Sequence, residues 1–162
     1  MIRSLGWWWL FLLLLAPACA PAALAMRSPE LDRAAATALL VAADEARVRA
    51  FATADPAPLR GVFADGAVAA LAPRLGALRR RGLRVEERDT ARNLVHWVAA
   101  AGGGGGEGVL EVQGEQRVDS AGGGGRAWSR IVRQWWAALS WSGANWVVVR
   151  AGDLPPGQWW SS

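Results

Sequence analysis

Tyrosine and lysine are absent from this 162-residue chain, and cysteine and histidine occur once each. Each shortage excludes something. Without a phenol, no tyrosine can donate a proton or stabilise an enolate, and without lysine there is no Schiff base. One cysteine allows no intrachain disulfide. With a single histidine beside it, a zinc site of the usual Cys/His kind lacks ligands. Charge is also thin: 20% of residues are charged and 52% are hydrophobic, the composition of a chain that packs rather than one that stays disordered. The length suits one ordinary domain. No metal and no cofactor is implied.

Abundance lies elsewhere. There are 11 tryptophans, and all 18 basic residues are arginine, giving a formal charge of +4. The first 25 residues read as a signal peptide. Arg3 supplies the positive end, Trp7 to Leu15 is an unbroken apolar stretch, and Ala23-Leu24-Ala25 fits the small-x-small cleavage pattern. The alternative is membrane association, either through an uncleaved anchor over residues 7–26 or through lipidation of Cys19. Against the anchor stand Pro17 and Pro21. Against lipidation stands Ala16-Pro17-Ala18 before Cys19, with Leu15 one place too early. Either way the domain is expected outside the cytoplasm: periplasmic, extracellular or on the outer membrane face. Nucleic acid is then not an expected partner, and the arginine excess points to anionic lipid, acidic polymers or solubility.

After the leader, residues 28–152 read as a single α+β domain, followed by a Pro/Trp-rich tail over residues 153–162. Ser28-Pro29-Glu30 is a helix-start signal for a helix running to Thr53, with Leu31, Ala35, Ala38, Leu39, Ala42, Ala46 and Ala50 on one face. Asp55-Pro56 starts a short helix carrying Leu59, Val62 and Phe63. Asp65 starts a third, with Val68, Leu71, Leu75 and Leu78 as its buried stripe. Pro73 is expected to kink or split that helix. Gly82 suits its left-handed cap, after three arginines at the negative dipole end.

From Leu83 onward strand signals take over. Leu83 to Ala100 reads as one bent strand or two short ones, Gly108 to Asp119 alternates, and Trp146 to Arg150 is the last clear strand. The runs Gly102–Gly106 and Gly122–Gly125 read as hairpin loops. They lack the phosphate-loop spacing and its lysine. Trp128 to Trp141 fits a strand or a helix, with tryptophan density favouring a strand whose apolar face is interrupted by Arg133. The sum is N-terminal helices packed on a curved antiparallel sheet of about four strands.

That order resembles the nuclear transport factor two-like superfamily, a cone-shaped α+β fold. The resemblance rests on Ala54-Asp55-Pro56-Ala57-Pro58-Leu59 with Phe63, on Leu83-Arg84-Val85, on Trp128 through Trp141, and on Asn145-Trp146-Val147-Val148-Val149. It spans roughly residues 30–152 and looks most like the non-enzymatic branch found in envelope and plastid-division proteins. Isomerases, dehydratases, cyclases and plain binding modules share the fold, so the resemblance implies a pocket between helices and sheet but not its contents.

His96 and Asp89 are the candidate catalytic residues. A histidine or aspartate can act as pocket base in enzymes of this fold, here a small-molecule isomerase or hydrolase. The alternatives are a partly exposed strand histidine and, through the alternating charges of Glu86-Glu87-Arg88-Asp89, a solvated sheet edge. No nucleophile-elbow motif positions a serine. Arg79, Arg80, Arg81 and Arg84 form a basic surface, with Arg88 nearby. Anionic headgroups or an acidic glycan would suit it, and helix capping explains part of it.

Trp97, Trp135, Trp136, Trp141 and Trp146 are the candidate ligand-binding set, because indoles stack on sugars and line apolar pockets. The alternative is core filling between thin, alanine-rich helices and the sheet. Trp135 and Trp136 are successive, so on a strand they face opposite sides, and both cannot be core unless the outer face is also covered. The leading expectation is therefore a non-catalytic binding or accessory domain. Its partner would be an apolar or glycan-like ligand or an envelope protein, met on the indole-bearing sheet. A structural module held at the membrane is the third reading.

Overall fold

The computed structural model describes residues 29–120, 122 and 125–154. Residues 1–25, expected to be a signal peptide, Cys19, Ser28 and the tail from Pro155 lie outside the described residues, as does the side chain of Asp89. Two α-helices come first, α1 (Arg33–Thr53) and α2 (Asp65–Arg80), with a 3-10 turn at Ala57–Leu59 between them. Four strands follow: β1 (Leu83–Ala99), β2 (Gly105–Ser120), β3 (Ser129–Trp141) and β4 (Trp146–Leu154). They form one curved antiparallel sheet in the order β1-β2-β3-β4. The α+β class and the helices-then-meander order are as expected. Among the described residues, no helix is long and apolar enough to cross a membrane.

Several local expectations change. The cap of α1 is Asp32, whose side chain accepts from the Ala35 amide at 2.7 Å, while Pro29 and Glu30 lie outside the helix. Its buried face carries Ala36, Leu40, Ala43, Ala46, Ala50 and Phe51, and Ala35, Ala38 and Ala42 are exposed. In a helix of alanines the apolar period is weak. The large residues Leu40 and Phe51 choose the face instead. The expected second helix is a single 3-10 turn, and the chain at Val62–Ala64 then pairs with Val148 on the edge of β4. Pro73 neither splits nor ends α2, which continues to Arg80. Leu75 is buried, and Val68, Leu71 and Leu78 pack against the core as the spacing requires.

Trp128–Trp141 resolves into strand, with Ser129–Trp141 paired along β2 and β4. β1 is one long strand with register shifts between Arg88 and Ala91 and between Leu94 and His96. Each shift inserts residues on one strand and reverses which parity faces inward. Thus Glu87 faces the helices ahead of the first shift, Arg92 and Leu94 face them beyond it, and Trp97 faces them beyond the second.

The first glycine run is only partly a loop. Gly102 and Gly103 adopt the left-handed backbone that favours glycine, but Gly105 and Gly106 already belong to β2. A side-chain carbon at Gly106 would meet the ring of Trp97 and the Val98 carbonyl. At Gly108 it would stand 2.6 Å from Leu40 Cδ1 and 3.2 Å from Trp97 Cε3. The indole of Trp97 therefore lies across these glycines and against the core.

Candidate functional site

The two faces of the sheet carry different chemistry. Inward from β3 point Ile131, Arg133, Trp135, Ala137 and Leu139, opposite Leu110 and Val112 of β2. Trp135 is 1% exposed and forms part of the core with Leu40, Leu59, Leu75 and Val148. Outward point Gln134, Trp136 and Ala138, beside His96, Val98, Glu107 and Val109.

Trp136 is half-buried on that outer face. It leans over Gly152 of β4, where an added Cβ would stand 2.8 Å from its Nε1. Its indole separates two hollows. One, of about 210 Å³, is lined by His96, Val98, Glu107, Gly108 and Val109 as well as Trp136. The other, of about 360 Å³, runs along the edge of β4 between Phe63, Ala67, Leu71, Val149 and Ala151. A third hollow of about 350 Å³ continues the outer trough over Val98, Ala138, Leu139 and Arg150. Val98 is 53% exposed within this trough, and Glu107 and Arg150 face each other across it at 3.4 Å.

The five candidate tryptophans do not form one wall. Trp97 and Trp135 belong to the interior. Trp141 and Trp146 face each other across the end of the β3–β4 hairpin, edge to face, with centroids 5.6 Å apart. Trp136 is the one of the five that faces outward. Its place follows from the alternation that buries Trp135. Trp128, which precedes β3, carries Arg88 over its ring at 4.1 Å and Arg117 at 4.8 Å. Glu115 and Glu86 pair with those two arginines on the same outer face.

Among the candidate catalytic residues, His96 is exposed on the outer face and reaches the smaller hollow. Asp89 lies on β1 at the first register shift. Glu87, expected on a solvated edge, instead has a side chain only 5% exposed, because the pairing turns it toward the helices. Arg79, Arg80, Arg81 and Arg84 are exposed together at the junction of α2 and β1.

Sequence reasoning missed the polar centre of the interior. Asp44, on the buried face of α1, is fully enclosed and accepts from three arginines. Arg92 Nε donates to it at 2.7 Å, Arg47 Nε at 3.1 Å, and Arg133 Nη2 at 3.0 and 3.3 Å. Arg133 Nη2 also donates to Glu87 at 2.9 Å. Burial alone would raise the pKa of Asp44. The charges of Arg47 and Arg133 and hydrogen bonds from Arg92 and Arg133 outweigh it and hold that pKa below the ordinary value. Burial likewise works against the Arg133 cation, and Asp44 and Glu87 more than offset it, so its pKa is raised. A carboxylate held ionised in this way is a weak base, and the centre is poorly suited to proton abstraction. The signal was present in the interruption of the apolar face of β3 by Arg133.

No family model matches the chain, and no curated protein matches it in sequence. In fold it is similar to the intermembrane-space region of the chloroplast protein ARC6, with a TM-score of 0.68 at 13% identity, covering 78% of this chain and 98% of that one. It is also similar to a ketosteroid isomerase-like protein from Erwinia carotovora atroseptica, with a TM-score of 0.50 at 17% identity, covering 74% of this chain and 97% of that one. The fold is the nuclear transport factor two-like cone that the order of elements implied.

Proposed function

We propose that this protein is a non-catalytic binding domain working beyond a membrane, and that it takes an apolar chain or a sugar ring in the trough around Trp136. The observation that carries this reading is the position of that indole. It stands half-buried on the outer face between two hollows, where an apolar wall (Val98, Val109, Ala138) meets a few polar groups (His96, Glu107, Arg150). Indole rings stack on sugar rings and on hydrocarbon. The interior is an unpromising alternative for acid–base chemistry, since its enclosed carboxylate accepts from three arginines that hold its pKa below the ordinary value. Location beyond a membrane is supported by the leader-like first 25 residues. It is supported also by the fold likeness to a region of an intermembrane space.

The test follows the indole N–H resonances of the purified domain during titration with cellotriose and with a valine- and leucine-rich peptide. The reading expects the Trp136 resonance to move saturably with at least one probe and the response to vanish in Trp136→Ala. It also expects that variant to lose no more than about 1–2 kcal/mol of stability, because the side chain is only half-buried. If neither probe moves Trp136 while Trp136→Ala costs about 4 kcal/mol or more, the indole is a packing residue and the reading is wrong.

A further inference from the structure

A groove runs between α2 and the edge of β4, close to Leu154, the last described residue of that strand. Its walls are apolar. Ala67, Ala70 and Leu71 of α2 line it together with Val149 and Ala151 of β4, around about 360 Å³. Arg74 and Arg150, with side chains 61% and 71% exposed, line it as well. The strand edge beside it is largely open. Val148 exchanges backbone hydrogen bonds of 2.9 Å with Val62 and Ala64, and no other backbone partner meets that edge among the described residues. An apolar groove next to an open strand edge can take up a further extended segment.

We propose that residues 155–162 of the same chain occupy this groove, returning along the edge of β4 and setting one indole, Trp159 or Trp160, against Leu71 and Val149. Pro155-Pro156-Gly157-Gln158 follows Leu154 directly. Pro156-Gly157 is a type II turn signature, in which proline fixes φ at the second position and glycine takes the positive φ of the third. A reversal there lays Trp159 and Trp160 beside Leu154 and Asp153, with Ala151 about 7 Å further along the strand. The reach of the segment therefore matches the groove. Its chemistry matches too. Residues 155–162 carry no charged side chain, and the two indoles are their large apolar groups. The guanidiniums of Arg74 and Arg150 favour an aromatic ring beside them. Adjacent residues of an extended segment face opposite sides, so one indole enters and the other turns away. Tethering raises the local concentration of the segment into the millimolar range, so a modest contact is enough. Docked in this way, the segment covers the larger hollow beside Trp136 and leaves the one lined by His96 and Val109 to a ligand. That consequence rests on the function proposed above, and the docking itself does not.

Nuclear Overhauser contacts in the whole chain, labelled at its methyl groups, test this. The Leu71 and Val149 methyls are expected to show contacts to indole protons that are lost in at least one of Trp159→Ala and Trp160→Ala. Ending the chain at Leu154 should shift the same methyls and leave those of Val109 in place. Should the shortened chain fail to fold, the two substitutions decide alone. If neither substitution removes a contact from Leu71 or Val149, the segment lies elsewhere and the proposal is overturned. It is overturned equally if, in a mixture of two differently labelled samples, the contacts run between molecules and fade on dilution. The groove then holds a second copy of the chain. None of these readouts needs a probe to bind at Trp136, so failure of the trough reading would leave them unchanged.

Discussion

Arg133 and Asp44 are 89 residues apart in the chain, yet Arg133 Nη2 lies 3.0 Å from Asp44 Oδ1 beneath α1. This contact joins the third strand to the first helix through the centre of the domain. Because Arg47, Arg92 and Glu87 share it, the contact is a network that fixes how α1 crosses the sheet.

Replacing Asp44 by asparagine leaves three guanidiniums facing Glu87 alone. Breaking a buried ion pair from one side costs about 3–5 kcal/mol, and Asp44→Asn is expected to lose stability in that range at pH 7. The loss should depend on pH in a particular direction. Asp44 binds protons more weakly folded than unfolded, so acid favours the unfolded chain. Its contribution is full above the ordinary aspartate value near 3.8 and fades as the pH falls through its lower folded value. Denaturant midpoints of wild type and variant should therefore converge as pH is lowered from 7 toward 2. A gap that stays constant over that range would show that Asp44 is not held ionised by its neighbours.

Much of the architecture was legible because it rests on patterns that burial cannot override. Leu75 within its 3-4-3 stripe, the alternation that separates Trp135 from Trp136, and the Gly82 cap all follow from local geometry. Gly82 has the expected left-handed backbone at φ 62°. The polar centre was not legible for two reasons. Alanine on every side of α1 masks which face is buried, so Asp44 and Arg47 look like ordinary surface charges. The register shifts in β1 then turn Glu87 and Arg92 inward together, although simple alternation places 87 and 92 on opposite faces. Only Arg133, breaking an apolar face, hinted that a charge lay inside.

The glycines of β2 supply a second prediction, about packing rather than charge. At Gly108 an added methyl would stand 2.6 Å from Leu40 Cδ1, 3.2 Å from Trp97 Cε3 and 3.3 Å from Leu94 Cδ1. Leu40 is fully buried and cannot swing out. Gly108→Ala should therefore destabilise the domain by about 1–3 kcal/mol through overpacking. Gly122→Ala serves as the comparison, since nothing lies within 4 Å of its added carbon, and should stay within about 0.5 kcal/mol of wild type. Thermal unfolding of both variants checks this. Equal midpoints would mean that Trp97 does not lie across the strand as described.

Gly152 offers a way to test the trough without removing its indole. Its missing side chain is what lets Trp136 lean toward the edge of β4. A Cβ there would stand 2.8 Å from Trp136 Nε1 and 3.4 Å from Cε2. Trp136 is half-buried and can shift outward, so Gly152→Ala should cost little stability, about 1 kcal/mol. The shift alters the wall shared by both hollows. Any probe that binds through Trp136 in the wild type should bind Gly152→Ala about tenfold more weakly, the equivalent of about 1.4 kcal/mol. The indole N–H resonance of Trp136 should move in the unliganded variant, because its surroundings change. A displaced resonance with unchanged affinity would mean that the ligand does not rest on this side of the indole. The binding surface would then lie along Val98 and Val109 alone.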